Sequence, residues 1–272
     1  MTSQKPDFGA EIDISNFFAQ HLIGSWVLNE YNGNFVNDGS GNRLNGTLGS
    51  TTTWVGAGLS FDGTDNSNIT VSDPGTGSVL DITDKISIAV KVFPTNVSIG
   101  TIINKNRTSS EYASTNYVFR FNSGYLEFYY RAAPGWCIFR SSTTFAANTW
   151  YDILVTCDFG NDPVFYMNGK SYGGSWVSGS ALTPNTGNGN LYVGVVPGVA
   201  ERFSGVISHV VLWRCTFASS EAIWFSTEPY SMFGRSKRIL RCLYVSEGGA
   251  DDLLLLRGNL RGNFHELSGG LN

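Results

Sequence analysis

The sequence predicts an all-β protein, an antiparallel β-sandwich, and three observations carry that expectation. Short runs of alternating apolar and polar residues recur along the chain as far as about residue 213. Clusters of Gly, Asn, Asp, Ser and Pro separate them at the spacing of a sandwich or barrel rather than of βαβ units. Composition agrees: 14% of residues are aromatic and 32 are Gly while only 15% are charged, so the residues that long helices use are scarce.

The candidate strands run over 21–28, 59–61, 68–71, 86–92, 101–104, 117–121, 125–131, 137–141, 150–157, 163–167, 190–195 and 205–213. One short helix is expected at 219–225, with Ser219 or Ser220 capping its first turn. The strand at 150–157 is nearly apolar enough to be covered on both faces, with Trp150, Val155 and Cys157 assigned to the core. Asn168-Gly169 follows the next strand. Both residues tolerate the positive φ of a type I′ turn, which would reverse the chain into Lys170-Ser171-Tyr172.

A chain of 272 residues accommodates one large β domain, expected at 21–227 between an N-terminal arm over 1–20 and a C-terminal tail over 228–272. The tail changes character. Arg235, Lys237, Arg238 and Arg241 form a basic patch, and 239–245 reads as a further strand. Leu253 to Leu256 are four leucines in a row, each worth about 1.5 to 3 kcal/mol when fully buried, so they are expected to pack on the sandwich or on another chain.

Charge and targeting exclude several classes. The net charge of −4 leaves no basic field for phosphates or anionic lipid, so neither nucleic acid nor membrane is an expected partner. No apolar run approaches the roughly 20 residues of a membrane span, and Asp7, Glu11 and Asp13 interrupt the first residues, so no signal peptide is expected. Cys137, Cys157, Cys215 and Cys242 are spread out with no CxxC, and three lie in apolar alternating segments, which suits free buried thiols. The sequons at Asn45, Asn68, Asn96 and Asn106 follow from a chain rich in Asn and Thr.

Several motifs then fall into an ordered set. Leu22-Ile23-Gly24-Ser25-Trp26 is followed by Asp38-Gly39-Ser40-Gly41-Asn42, Asn45-Gly46-Thr47-Leu48, Leu59-Ser60-Phe61-Asp62-Gly63 and the run from Ile86 to Pro94. Ile102-Ile103-Asn104-Lys105, Asn148-Thr149-Trp150-Tyr151, Tyr166-Met167-Asn168-Gly169 and the run from Phe203 to Trp213 complete it. Residues 22–233 thereby resemble the laminin-G-like, concanavalin A-like jelly-roll domains. The segment from Glu228 to Phe233 resembles copies found in bacteriophage and environmental viral sequences.

Four chemistries are then to be weighed. Glucanases of this superfamily carry Glu-x-Asp-x-(x)-Glu, and here Glu11-Ile12-Asp13-Ile14 is followed by Ser15 and Asn16, so the second glutamate is missing. The histidines, His21, His209 and His265, lie in unrelated settings with no Gly-x-Ser-x-Gly elbow, and His209 reads as satisfied by its neighbours. Relatives often bind calcium through rim loops, and Asp62, Asp65 and Asp73 flank one candidate loop, although the acidic pair common in relatives is replaced by Ser208-His209. Trp136, Tyr172 and Trp176 lie near loops and could stack on a sugar ring, cover the sandwich edge or form a subunit contact.

The expectation is therefore a non-enzymatic structural protein of a bacteriophage particle, a capsid decoration or tail-associated subunit located in the virion. Its partners would be other virion proteins or copies of itself, with a cell-surface or environmental glycan as a further partner. The alternative is a carbohydrate-binding lectin module with no virion role.

Overall fold

The computed structural model describes residues 4–75, 77–133 and 135–233. Its strands form two antiparallel sheets. Sheet I contains, in spatial order, β14 (Lys170–Tyr172), β13 (Val164–Met167), β12 (Tyr151–Asp158), β7 (Lys85–Pro94), β17 (Ser204–Trp213), β5 (Gly58–Asp62) and β4 (Thr53–Val55); β1 (Leu22–Trp26) also pairs with β17. Sheet II contains β15 (Gly174–Ser178), β11 (Trp136–Thr144), β10 (Tyr125–Arg131), β9 (Tyr117–Asn122), β8 (Ile99–Lys105), β16 (Leu191–Val193), β6 (Ile69–Val71), β3 (Gly46–Leu48) and β2 (Phe35–Val36). The sandwich and each strand expected over residues 21–213 are present. The short strands β2, β3, β4 and β15 lack a sequence signal because so few residues leave no period to read.

Alternation sends one face of each sheet inward. On β12, Tyr151, Ile153, Val155 and Cys157 enter the core between the sheets, while Leu154 points outward into a second apolar cluster. This strand is covered on both faces, as its composition implied. Trp150 is a correction: it lies an odd number of residues from Val155, so the pleat turns it away, and it is 39% exposed against Phe93 at 5.5 Å. Inside, Phe119 and Phe139 of sheet II stack on Phe165 of sheet I with ring centroids 6.2 and 6.0 Å apart. Cys137 and Cys157 are buried free thiols and Cys215 is a partly buried one, while Cys242 lies outside the described residues.

The second cluster covers the outer face of sheet I. Ala89, Leu154, Tyr166, Val211 and Trp213 project from the strands, and Phe18, Phe217, Phe225, Met232 and Phe233 close over them. Residues of the expected N-terminal arm are part of that cover. Lys5 donates to the carbonyls of Leu28 and Ala57, Ile12 bridges to Phe233, and the Phe18 carbonyl accepts the Trp213 indole N–H at 2.7 Å. A sheet face this apolar is costly to leave in water, so the chain end lies on it. The expected tail contributes its first residues to the same cover. Its basic patch, its strand at 239–245 and its leucine run lie outside the described residues.

Helix α1 (Ser219–Thr227) is the expected helix with a different cap. Ala218 takes the N-cap position and its N–H is accepted by the Glu221 carboxylate at 2.7 Å, so the two serines lie inside the first turn. The turn at Asn168-Gly169 has φ of 49° and 78°, as type I′ geometry requires.

Gly24 explains the opening motif of the chain. A Cβ there would lie 2.3 Å from the ring of Trp26, whose indole N–H is committed to the Leu44 carbonyl at 2.8 Å. Gly24→Ala should therefore cost about 1 to 3 kcal/mol in urea unfolding, the usual range for overpacking a core. Gly56→Ala, where nothing lies within 4 Å of the added atom, should leave the midpoint nearly unchanged.

Candidate functional site

The outer face of sheet II carries charge where the outer face of sheet I carries apolar cover. On β9, β10 and β11 the inward residues are aromatic or aliphatic, and alternation sends Arg120, Asn122, Glu127, Tyr129, Arg131, Trp136, Ile138 and Arg140 outward. Register then makes rows across the strands. Arg120 and Arg140 both lie directly opposite Glu127, Val118 and Ile138 lie opposite Tyr129, and Arg131 lies opposite Trp136. The pairs in the first row are close. Arg120 reaches Glu127 Oε2 through two N–H groups at 2.9 and 2.7 Å, and Arg140 reaches Oε1 through two at 2.8 and 2.6 Å.

Two loops extend the row. Arg107 follows β8 and holds both carboxylate oxygens of Glu201, at 2.6 and 3.0 Å, and its guanidinium also donates to the Tyr129 hydroxyl. Glu201 precedes β17, and its Oε2 accepts the Tyr129 hydroxyl at 2.8 Å and lies 2.7 Å from Arg120. Burial alone would raise the Glu201 carboxyl, but the hydrogen bonds and charges of Arg107 and Arg120 outweigh it and hold the group below its ordinary value. Burial pushes the Tyr129 hydroxyl well up, so it stays protonated and donates. Trp136 stands at the end of the network, half-buried, with the guanidinium groups of Arg107 and Arg131 at 5.2 and 5.3 Å from its ring.

This arrangement has no spare acid or base. Each oxygen of Glu127 and Glu201 accepts at least one hydrogen bond from a guanidinium group, and the Glu201 carboxyl is held below its ordinary value. A glycosidase of this superfamily needs one carboxyl held protonated near neutrality and a second free to attack or to activate water. The site instead offers rigid guanidinium forks, an amide and an indole, which are recognition groups.

The three aromatic residues expected from sequence separate. Trp136 belongs to this face. Trp176 lies opposite Phe139 and packs edge-on against Phe139 and Tyr130, with its indole N–H on Asp162 at 2.7 Å. Tyr172 pairs with Phe165 and also packs on the inner core, so these two cover the sandwich edge. Sequence reading missed Arg107, Arg120, Glu127, Arg140 and Glu201. The signal was present in part, since Arg120 and Glu127 each interrupt a run of apolar and aromatic residues and Arg140 follows one.

The three aspartates considered for calcium also separate. Asp62 accepts from the N–H and hydroxyl of Thr64, and Asp65 forms a two-point pair with Arg202 at 2.7 and 2.8 Å. Asp73 is buried beside Lys105, whose ammonium lies 2.9 Å from Asp73, 3.1 Å from Asp81, and 2.7 and 3.0 Å from the carbonyls of Gly187 and Gly189. A side-chain cation thus fills that oxygen cage. Among the described residues no three His, Cys, Asp or Glu side chains gather as a metal site.

The other motifs are structural in this geometry. Glu11 and Asp13 are exposed beside the bridge from Ile12 to Phe233, outside any cleft. His21 is exposed, and His265 lies outside the described residues. His209 is buried under the second cluster, with Nδ1 3.0 Å from the Tyr230 hydroxyl. A void of about 10 Å³ next to it, lined by Asp152, Tyr166 and Phe225 among others, has room for no more than one water.

Comparison with known proteins places this fold. Residues 61–222, more than half of the chain, match the Laminin_G_3 family of the concanavalin A-like lectin/glucanases superfamily. The chain belongs to this family. Among solved structures, domain 4 of AbnA, a GH43 extracellular arabinanase from Geobacillus stearothermophilus, in complex with arabinotriose, is similar at 17% identity and TM-score 0.57. That match covers 75% of this chain and 98% of the domain. The binding domain of Paraclostridial Mosquitocidal Protein 1 is similar at 15% identity and TM-score 0.60, over 76% of this chain and 52% of that one. Trypanosoma rangeli sialidase in complex with sialic acid is similar at 15% identity and TM-score 0.56, over 78% of this chain. The chain spans about half of the mosquitocidal binding domain and 34% of the sialidase, so these likenesses concern the fold. No curated protein matches the sequence.

Burial, with Lys5 and Lys91 adding to it, pushes His209 down to about 3. Unfolded, it titrates near 6.5, so between these values the unfolded chain binds a proton that the folded chain refuses. Its contribution is fully present above about pH 6.5 and falls as pH drops towards 3, by up to about 1.4 kcal/mol per pH unit. The gap in urea midpoint between the wild type and His209→Gln should therefore narrow from pH 7 to pH 4.5.

Proposed function

We propose that the protein is a non-enzymatic, lectin-like module that binds a glycan on the outer face of sheet II, at the network ending in Trp136. The observation that carries this reading is the outward row on β9, β10 and β11, a rigid set of donors beside a half-buried indole. The family supports it, as does the similarity to an arabinanase domain solved with an oligosaccharide and matched over nearly its whole length. The occupied carboxylates favour binding over hydrolysis.

A glycan array followed by calorimetry tests the reading. Micromolar or tighter binding to a defined glycan is expected, weakened at least about tenfold, or ~1.4 kcal/mol, by Trp136→Ala. Trp176→Phe, a change at the sandwich edge, should leave affinity within about twofold, well under ~1 kcal/mol. Release of reducing sugar from the bound glycan would overturn the non-enzymatic part.

A second reading, a structural subunit of a bacteriophage particle, draws on a different observation. Over the outer face of sheet I, Phe17 and Trp224 stack at 6.2 Å and are 38% and 44% exposed, and Ile223 beside them is 50% exposed. A protein neighbour would bury such a patch. Phage particles from the source of the sequence should then contain the chain in stoichiometric amount by mass spectrometry, and its absence from them would leave the lectin module alone.

A further inference from the structure

We propose that the outer face of sheet II takes an acidic glycan, a saccharide bearing carboxylate or sulfate groups, and that Arg131 reads its charge. This deepens the glycan-binding reading above and rests on it. Four guanidinium groups, from Arg107, Arg120, Arg131 and Arg140, converge here against the two carboxylates of Glu127 and Glu201. The chain as a whole carries −4, whereas on this face the guanidinium groups outnumber these carboxylates. Glu111, in the same loop as Arg107, turns its carboxylate to the Ser114 N–H at 3.2 Å.

The surplus is concentrated at one residue. Arg120 and Arg140 are committed to Glu127, and Arg107 to Glu201. Arg131 forms no ion pair among the described residues, and its half-buried side chain lies 5.3 Å from the Trp136 ring. Its backbone is fixed at the end of β10, with its N–H on the Thr115 carbonyl and its carbonyl accepting from Asn185. The unpaired planar fork beside the indole matches a carboxylate or sulfate in two-point fashion, with the aromatic ring adjacent for the sugar. The paired carboxylates do not compete for Arg131, since every oxygen of Glu127 and Glu201 is already occupied.

The test compares four probes on the full-length chain by calorimetry at 50 and 300 mM salt. They are an oligogalacturonate, its neutral methyl ester, a sulfated galactan oligosaccharide and a single-stranded oligonucleotide of equal charge. At least one acidic glycan should bind ten or more times more tightly than the ester, with a preference that shrinks at the higher salt. Arg131→Gln should abolish the preference for the acidic glycan over the ester, and Arg131→Lys should keep part of it, with circular dichroism confirming that both variants fold. Whether carboxylate or sulfate is the group read follows from which acidic probe is preferred. If neutral glycans bind as well as acidic ones, the inference fails and the glycan reading survives. If no saccharide binds, both fail. An oligonucleotide held as tightly as the acidic glycan would make the face a general polyanion surface and overturn the assignment.

Discussion

Sheet I is apolar on both faces, and covering them dictates most of what else the chain does. Its inner face meets sheet II. Its outer face has Ala89, Leu154, Tyr166, Val211 and Trp213 with no second sheet to meet, and segments flanking the sandwich cover it: Phe18 before β1, Phe225 from α1, and Met232 and Phe233 beyond it. At roughly 25 cal/mol per Å² of apolar surface removed from water, that closure is among the larger local gains of the fold. The consequence for function is positional. The outer face of sheet I is occupied, and the outer face of sheet II is left to carry polar side chains.

Buried charge in this sandwich is tolerated only in closed networks. Lys105 is fully buried, yet four oxygens surround its ammonium. Glu127 is 1% exposed, yet two guanidinium groups and the Asn122 amide hold it. His209 is equally enclosed and avoids the problem by remaining neutral. Taking an ion from water costs several kcal/mol even after the protein relaxes, so each network must be complete to persist. Completeness also makes these groups rigid and leaves their carboxylate oxygens committed to guanidinium donors.

The sandwich was legible because its signal is repeated. Every long strand states its period several times, and the turn at Asn168-Gly169 has a local chemical signature. Trp150 shows the limit of that reading: its apolar character suggested the core, and only the pleat, counted from Val155, reveals that it faces away. The site was less legible. Glu127 meets Arg120 across a tight hairpin seven residues apart in sequence, but Glu201 reaches Arg107 across 94 positions, and no local pattern encodes such a pairing. Net charge misled in the same way, because a total of −4 conceals a face on which arginines outnumber carboxylates.

Arginine is the informative choice at those positions. A lysine could neutralise Glu127, but its ammonium is a point charge on a flexible stem and could not bond a carboxylate oxygen through two parallel N–H groups. Arg120 and Arg140 each do so, from opposite sides and across adjacent strands, so the sheet's own register sets the spacing of the forks. The carboxylates then act as braces that fix guanidinium planes in advance of any ligand, and the ordering entropy is lost during folding rather than at binding. Here the carboxylates are engaged by arginine, and the guanidinium groups of Arg107 and Arg131 lie against the Trp136 ring on the same outer face.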